Sequence, residues 1–457
     1  MSKGSRQGIG YWEAVSIGVG GMVGGGIFAV LGLAVQMARG GTAVAFAIAG
    51  LVALLTAYSY ARLSVACPSE GGTVAFLDHA FGPGLVTGSL NVLLWLSYVV
   101  MLALYAYAFG SYGATFLPQG SQGLGKHVLA SVVVLGVTGL NLLAADVIGR
   151  AEDWIVGLKL AILAVFVGVG VWGVDPARLA PSTWAPPLAL VAGGMIIFLA
   201  YEGFELIANT AGDVRDGERT LPRAFFSAVV FVLGLYVLIA LVTVGTLPVG
   251  QIVAARDYAL ARAAAPLLGQ AGFTLIAVAA LLSTASAINA TLYGAARLSY
   301  VIAKDGELPS VLEKKVWHRP LEGLLITAGA TLLVTNLFDL SSISTLGSAG
   351  FLVIFAAVNW ANVRLAEETR SRRWLSAAGS AACLLALAAL VWRTASQSPA
   401  KLWVLAALLG LAFAIEAIYR AATGRVIRTP WSRRGPGHGG RPASETAEPV
   451  EPERPGS

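Results

Sequence analysis

Charge is scarce in this chain. Asp, Glu, Lys and Arg make up 12% of its 457 residues, against roughly 25% in a soluble globular protein, so water cannot be the solvent for most of its length. Cysteine is almost missing. Cys67, at the end of one apolar run, and Cys383, inside another, offer neither a metal-ligand spacing nor a disulfide framework, and the sequence gives no reason to expect a metal or a cofactor. The four histidines, His79, His127, His318 and His438, form no cluster of the kind a membrane enzyme would need near one face. A phosphate-binding loop of the Gly-Lys-Ser type is missing too, which argues against ATP-driven pumping. Nor do the apolar runs alternate with polar residues as transmembrane strands do, and this excludes a barrel. No cleavable signal is expected: the first apolar run, after Lys3 and Arg6, is too long and lacks a small-residue cleavage site.

What is present is apolar. Hydrophobic residues make up 56% of the chain and the mean hydropathy is +0.74. Runs of 18 or more apolar residues recur from residue 11 to residue 420, and roughly 20 residues of helix cross a bilayer core. The expectation is an all-α integral membrane protein of about twelve helices, at 11–37, 41–66, 86–116, 127–145, 152–172, 188–210, 223–246, 272–303, 322–338, 342–361, 374–392 and 402–420. Basic residues concentrate in alternate connections: Arg215, Arg219 and Arg223, then Lys304, Lys314, Lys315 and Arg319, then Arg364 to Arg373, then the tail from Arg420. By the positive-inside rule both termini are cytoplasmic. The net charge of +6 is explained by this topology, and nucleic acid is not an expected partner. Residues 421–457, rich in Pro, Gly, Arg and Glu, lack the apolar content that would offset ordering entropy, so a disordered cytoplasmic tail is expected.

Two spans carry features that do not suit a plain helix. The first contains IGVGGMVGGGIFAVLG, with Gly24, Gly25 and Gly26 consecutive. Glycine weakens a helix by up to about 1 kcal/mol relative to alanine, so three together favour an unwound turn, although small residues also serve close helix packing in membranes. The sixth span, FLAYEGFELIANTAGDVRDGERTLPRA, places Gly203, Glu202 and Glu205 midway along an apolar run. Ionisable groups at that depth are costly and mark function. The two interrupted spans each open a five-helix half, and paired interruptions of this kind point to a transporter site. A broken helix offers free N–H groups at one stump and free carbonyls at the other. That suits a zwitterion: the N–H groups at Gly24 to Ile27 can hold a carboxylate, and carbonyls near Gly20, Gly21, Phe198 and Ala200 can hold an ammonium.

With these residues in view, the chain resembles the amino acid, polyamine and organocation transporter superfamily. GGGIF is similar to its Gly-Ser-Gly-Ile-Phe type motif. AYEGFE followed by RDGERTLPRAF resembles its aromatic-x-Gly-Phe-acid and Asn-Pro-x-Arg-x-Ile-Pro pattern, and LLSTASAINATLYGAARLSYVIAKDGELP its small-residue eighth helix ending in Arg-Asp-Gly-x-Leu-Pro. The resemblance runs from about residue 8 to residue 420. It implies an inverted five-plus-five repeat, residues 11–172 and 188–361, with two further helices at 374–420 and a short N-terminal segment at 1–10. It also implies alternating access and a midplane amino acid site. Val23, Gly24, Gly25, Gly26 and Ile27 match the family's carboxylate-binding turn; Phe198, Ala200, Tyr201 and Gly203 match its second break. Gly25 departs from the commoner Ser, so one hydroxyl contact to the carboxylate is missing.

The same resemblance frames the energy source. Sodium-coupled relatives hold an ion between the first and eighth helices, where Ser283 and Thr284 can offer oxygens. Lys159, inside the fifth span, looks like the lysine that replaces sodium in proton-coupled members. An ammonium stands in for a cation and can lose and regain a proton through a cycle. Two other readings remain: a lysine snorkelling to the surface, about 10 Å from a helix start at residue 152, or a permanently charged one in an exchanger or facilitator. Glu202 either carries the proton, recognises a cationic side chain, or bonds exposed backbone, while Glu205 is expected to brace the segment after the break. Trp95, Tyr98 and Tyr105 of the third span are candidates to line the pocket. The expected function is proton-coupled uptake of neutral amino acids, with a transport-inactive sensor or scaffold as the alternative from another class.

Overall fold

The computed structural model describes residues 8–69, 71–82, 84–143, 145–304 and 321–423. Of the tail expected at 421–457, residues 421–423 belong to the last helix and 424–457 lie outside the described residues, as do residues 1–7 of the N-terminal segment and part of the connection that follows the eighth span. Among the described residues there are no strands, and only two isolated bridges, Ile9 with Val214 and Arg39 with Trp184.

The helices are α1 (Tyr11–Met22), α2 (Gly26–Ala38), α3 (Thr42–Ala66), α4 (Thr73–Phe81), α5 (Leu85–Ala114), α6 (Gln122–Leu143), α7 (Ala145–Gly170), α8 (Pro176–Leu179), α9 (Pro187–Ile196), α10 (Gly217–Thr246), α11 (Val249–Ala254), α12 (Ala259–Lys304), α13 (Leu321–Leu337), α14 (Leu340–Arg364), α15 (Arg373–Gln397) and α16 (Ala400–Thr423). Nine described helical segments are long and apolar enough to cross a membrane. Two bent pairs bring the number to eleven: α1 with α2, at 48°, and α9 with Phe198–Asp213, at 50°. Where a ninth span was expected lies the shorter apolar helix Glu322–Leu337.

Burial separates the centre from the rim. The most apolar stretch of α5 is 94% buried and that of α14 83%, whereas α6, α7 and α16 fall between 17% and 28%. The outer helices instead expose Leu, Val and Trp side chains, as lipid contact requires. Trp154 and Trp172 flank the span formed by α7, and Trp374 and Trp392 flank α15, all exposed. Eighteen residues of helix rise about 27 Å, close to the thickness of a bilayer core, and tryptophans favour its two interfaces.

Several boundaries differ from expectation for identifiable reasons. α7 begins at Ala145 rather than 152, because polar residues such as Asp146, Arg150, Glu152 and Asp153 extend the helix beyond its apolar stretch. α12 reaches back to Ala259 through a kink at Gly269, whose φ of +65° only glycine adopts freely. The short helix α4 lies in a segment read as a loop, being too brief to give a span signal. Phe204–Asp213 winds as a 3₁₀ helix rather than an α-helix.

Candidate functional site at two crossed helix breaks

Both interruptions fall where the glycines stand. Between α1 and α2 the chain unwinds over Val23–Gly25. After α9 a tight turn, Phe198–Tyr201, leads to Glu202, extended at ψ 148°, and to Gly203 at φ +117°. The two breaks cross in direct backbone contact. A Cβ on Gly203 would lie 2.5 Å from the Gly21 carbonyl carbon and 2.6 Å from the Met22 nitrogen, and one on Gly26 would lie 2.8 Å from Ala200 Cα. Glycine is needed at 203 for two separate reasons, the left-handed backbone and this approach.

The orphaned backbone groups around the breaks have partners. The Tyr236 hydroxyl of α10 reaches the Met22 carbonyl at 2.6 Å and the Ala200 carbonyl at 3.2 Å. The Ser283 hydroxyl of α12 reaches the Val23 carbonyl at 3.0 Å and also contacts that of Gly24. On the other break, Ser344 and Ser348 of α14 donate to the Ile196 carbonyl at 2.6 and 2.9 Å, and the Leu199 N–H donates to Ser348 Oγ at 3.2 Å. α2 starts without a side-chain cap, so the amides of its first turn, at Gly26, Ile27 and Phe28, have no acceptor inside the helix. They form the positive end of the helix dipole and can donate to an anion.

The charged residues converge on the same place. Lys159 is buried, and its ammonium donates to the Gly20 carbonyl at 3.2 Å, at the stump where α1 unwinds. Lys159 stands five residues, about 7.5 Å, inside Trp154, where the apolar part of the span begins, and its ammonium is turned inward onto the Gly20 carbonyl rather than out to the surface. Glu205 accepts from the Gly203 N–H at 2.8 Å and from the Tyr98 hydroxyl at 3.2 Å; it therefore braces the break itself. Glu202 is buried as well. Thr284 returns its hydroxyl to the Ala280 carbonyl of its own helix at 2.7 Å and turns its methyl toward Gly25, so of the two expected cation-site oxygens only Ser283 faces the break.

Of the expected binding residues, Val23, Gly24, Gly25, Gly26, Ile27, Phe198, Ala200, Tyr201, Glu202 and Gly203 are buried, and Gly20 and Gly21 half-buried. Tyr105 of α5 fills the position where a side chain on Gly25 would project, which accounts for glycine there. Trp95 bonds Thr327 of α13 at 3.1 Å. Phe198, Phe204, Phe351, Phe355 and Tyr60 form a continuous aromatic cluster beside Tyr98. Two surface cavities, of about 380 and 230 Å³, open beside Arg256–Tyr258, the segment packed on Gly32 further along α2.

Tyr236, Ser344 and Ser348 were not singled out in the sequence. One hydroxyl residue in an apolar span has many ordinary uses, and only the adjacency of α10 and α14 to the breaks gives these three a role.

The profile of the amino acid permease family matches residues 9–413, a range that takes in both breaks and all the helices around them. The chain belongs to that family. Among its relatives, an uncharacterized protein of Methanocaldococcus jannaschii is 37% identical over 79% of this chain and 83% of its own length. The inner membrane transport protein YbaT of Escherichia coli is 36% identical over 88% and 94%. The branched-chain amino acid permease BcaP of Lactococcus lactis is 26% identical over 76% and 79%. This permease is thus an all-α, multi-pass membrane protein of a transporter family, not of an enzyme family.

Proposed function

We propose that the protein takes up neutral amino acids across the cytoplasmic membrane by alternating access, coupled to protons through Lys159. The observation that carries the proposal is the Lys159 ammonium on the Gly20 carbonyl. A fixed cation sits where a helix C-terminal stump presents its negative end, the place a coupling ion would otherwise occupy. Protonated, Lys159 holds α1 to α7; deprotonated, it loses the charge that makes this contact strong, and the α1 stump is freed to tilt.

In this reading the substrate carboxylate lies against the first-turn amides of α2, and its ammonium lies against carbonyls of the breaks, chiefly those near Phe198 and Gly21. The Gly20 and Ala200 carbonyls already accept from Lys159 and Tyr236, and each retains a second lone pair. The aromatic cluster around Phe351 and Phe355 offers apolar surface to an uncharged side chain, in keeping with a relative named for branched-chain amino acids. The domain layout follows: 11–172 and 188–361 are inverted halves with matched breaks, 374–420 an addition, and both termini cytoplasmic. A mixture of labelled amino acids offered to proteoliposomes under an imposed proton or sodium gradient tests the reading; accumulation of neutral amino acids under the proton gradient alone is expected, and sodium-dependent accumulation contradicts it.

A second reading has an observation of its own. Glu202 is a buried carboxyl group at the second break, and a carboxyl group held in an apolar span is suited to taking up and releasing a proton, so Glu202 is the alternative carrier. Glu202→Gln then abolishes proton coupling while Lys159→Ala spares it.

A further inference from the structure

Cys67, His79 and Glu368 come from three separate parts of the chain and meet at one point. Cys67 closes α3, His79 stands in the last turn of α4, and Glu368 lies in the turn that follows α14. Glu368 receives His79 Nε2 at 2.9 Å from each of its oxygens, and the Cys67 thiol donates to Oε1 at 4.0 Å. One ligand atom from each residue falls within 4.8 Å of the other two, and among the described residues no other three His, Cys, Asp or Glu side chains converge in this way.

An ion pair between His79 and Glu368 explains two of these groups but not the third, a fully buried thiol aimed at the same point. Thiolate, imidazole and carboxylate are the donor types that zinc takes, at about 2.0 to 2.3 Å each, which places neighbouring ligand atoms about 3.3 to 3.8 Å apart. The observed separations bracket that range, so small side-chain shifts bring all three into place. Burial, with the neighbouring Glu368 carboxylate second, pushes the Cys67 thiol up to about 12; a dication at this point reverses the local field and favours the thiolate. The His79 and Glu368 side chains are 17% and 44% exposed, which gives an ion a way in and leaves a fourth position for water.

We propose that Cys67, His79 and Glu368 form a binding site for a borderline-soft divalent cation of the zinc class. Such an ion fastens together the end of α3, α4 and the turn after α14. α4 is itself seated on the segment that follows the second break and on α3: its cap residue Gly72 packs on Asn209, and Thr73 Oγ1 is 2.8 Å from the Tyr60 hydroxyl. Under the proposed transport cycle the ion would act on the segment Phe204–Asp213, but binding itself does not depend on that reading.

The test is titration of the purified full-length protein with Co²⁺, followed by the thiolate-to-cobalt charge-transfer absorption. Cys383 is the only other thiol, which makes the signal assignable. The band is expected in the native chain and in Cys383→Ser, is expected to vanish in Cys67→Ser, and is expected to need about tenfold or more Co²⁺ in His79→Gln or Glu368→Gln. Thermal unfolding monitored in parallel establishes that each variant is folded; Glu368 is exposed enough for its substitution to be tolerated. A native chain without the band, or a band that persists in folded Cys67→Ser, overturns the proposal.

Discussion

The Tyr236 hydroxyl lies 2.6 Å from the Met22 carbonyl and 3.2 Å from that of Ala200, so one side chain of α10 bridges the ends of both broken helices. A carbonyl left at a helix end in an apolar interior costs free energy unless something donates to it. Tyr236 also packs edge-on against Phe46, 5.7 Å between ring centroids, so its ring position does not depend on the hydroxyl. Tyr236→Phe is therefore expected to keep its packing, to destabilise the protein by about 1 to 3 kcal/mol, and to slow uptake severalfold or more. A chemical or thermal unfolding series beside the uptake assay checks both; a fully stable and active Tyr236→Phe contradicts the bridging role.

Gly203→Ala should be far more damaging than a typical glycine substitution. The left-handed backbone alone costs about 1 to 3 kcal/mol for a residue with a Cβ, and the new atom meets Gly21 and Met22 backbone, which cannot yield without prising the breaks apart. Gly234→Ala, in the seventh span with nothing within 4 Å of the added atom, serves as the comparison and should be active. Equal behaviour of the two variants in uptake would refute the account of the crossing.

Gly25 and Tyr105 should be energetically coupled. Serine at position 25 places its side chain in the Tyr105 ring, so Gly25→Ser alone is expected to lose most uptake. Gly25→Ser combined with Tyr105→Ala should do better than the product of the single effects predicts, by about 0.5 to 3 kcal/mol in a double-mutant cycle. Strict additivity would show that the ring does not explain the glycine.

Asp339, outside the spans, caps α14 by accepting from the Ser342 N–H at 3.1 Å. Burial raises its carboxyl, but the bonds from Ser342 and the Lys401 charge outweigh this and hold it below its ordinary value of 3.8. A lowered folded value means that the stabilisation is complete above 3.8 and is lost as pH falls through the folded value. Asp339→Ala should cost about 0.5 to 2 kcal/mol near neutral pH and progressively less below pH 3.8. A loss of stability independent of pH over that window would argue against the cap.

The spans were legible because lipid demands long apolar runs, and the breaks because Gly24–Gly26 and Gly203 stand against that demand. Lys159 and the two glutamates were legible for the same reason, as charges in apolar surroundings. Tyr236, Ser344 and Ser348 were not, since their significance lies in which helices they touch. α4 is too short for a hydropathy signal, and the start of α7 was missed because its polar first turns lie beyond the apolar stretch. The convergence of Cys67 and His79 with Glu368, 301 and 289 residues away, has no local pattern at all.

The most direct test of the central claim is gradient-driven uptake by proteoliposomes containing either the native chain or Lys159→Ala, with thermal unfolding to establish that both are folded. The account predicts accumulation driven by an inward proton gradient in the native protein and its loss, by about tenfold or more, in folded Lys159→Ala, since removal of the ammonium leaves the Gly20 carbonyl without its donor. Proton-driven accumulation that survives in Lys159→Ala, or accumulation in the native protein that requires sodium, would contradict it.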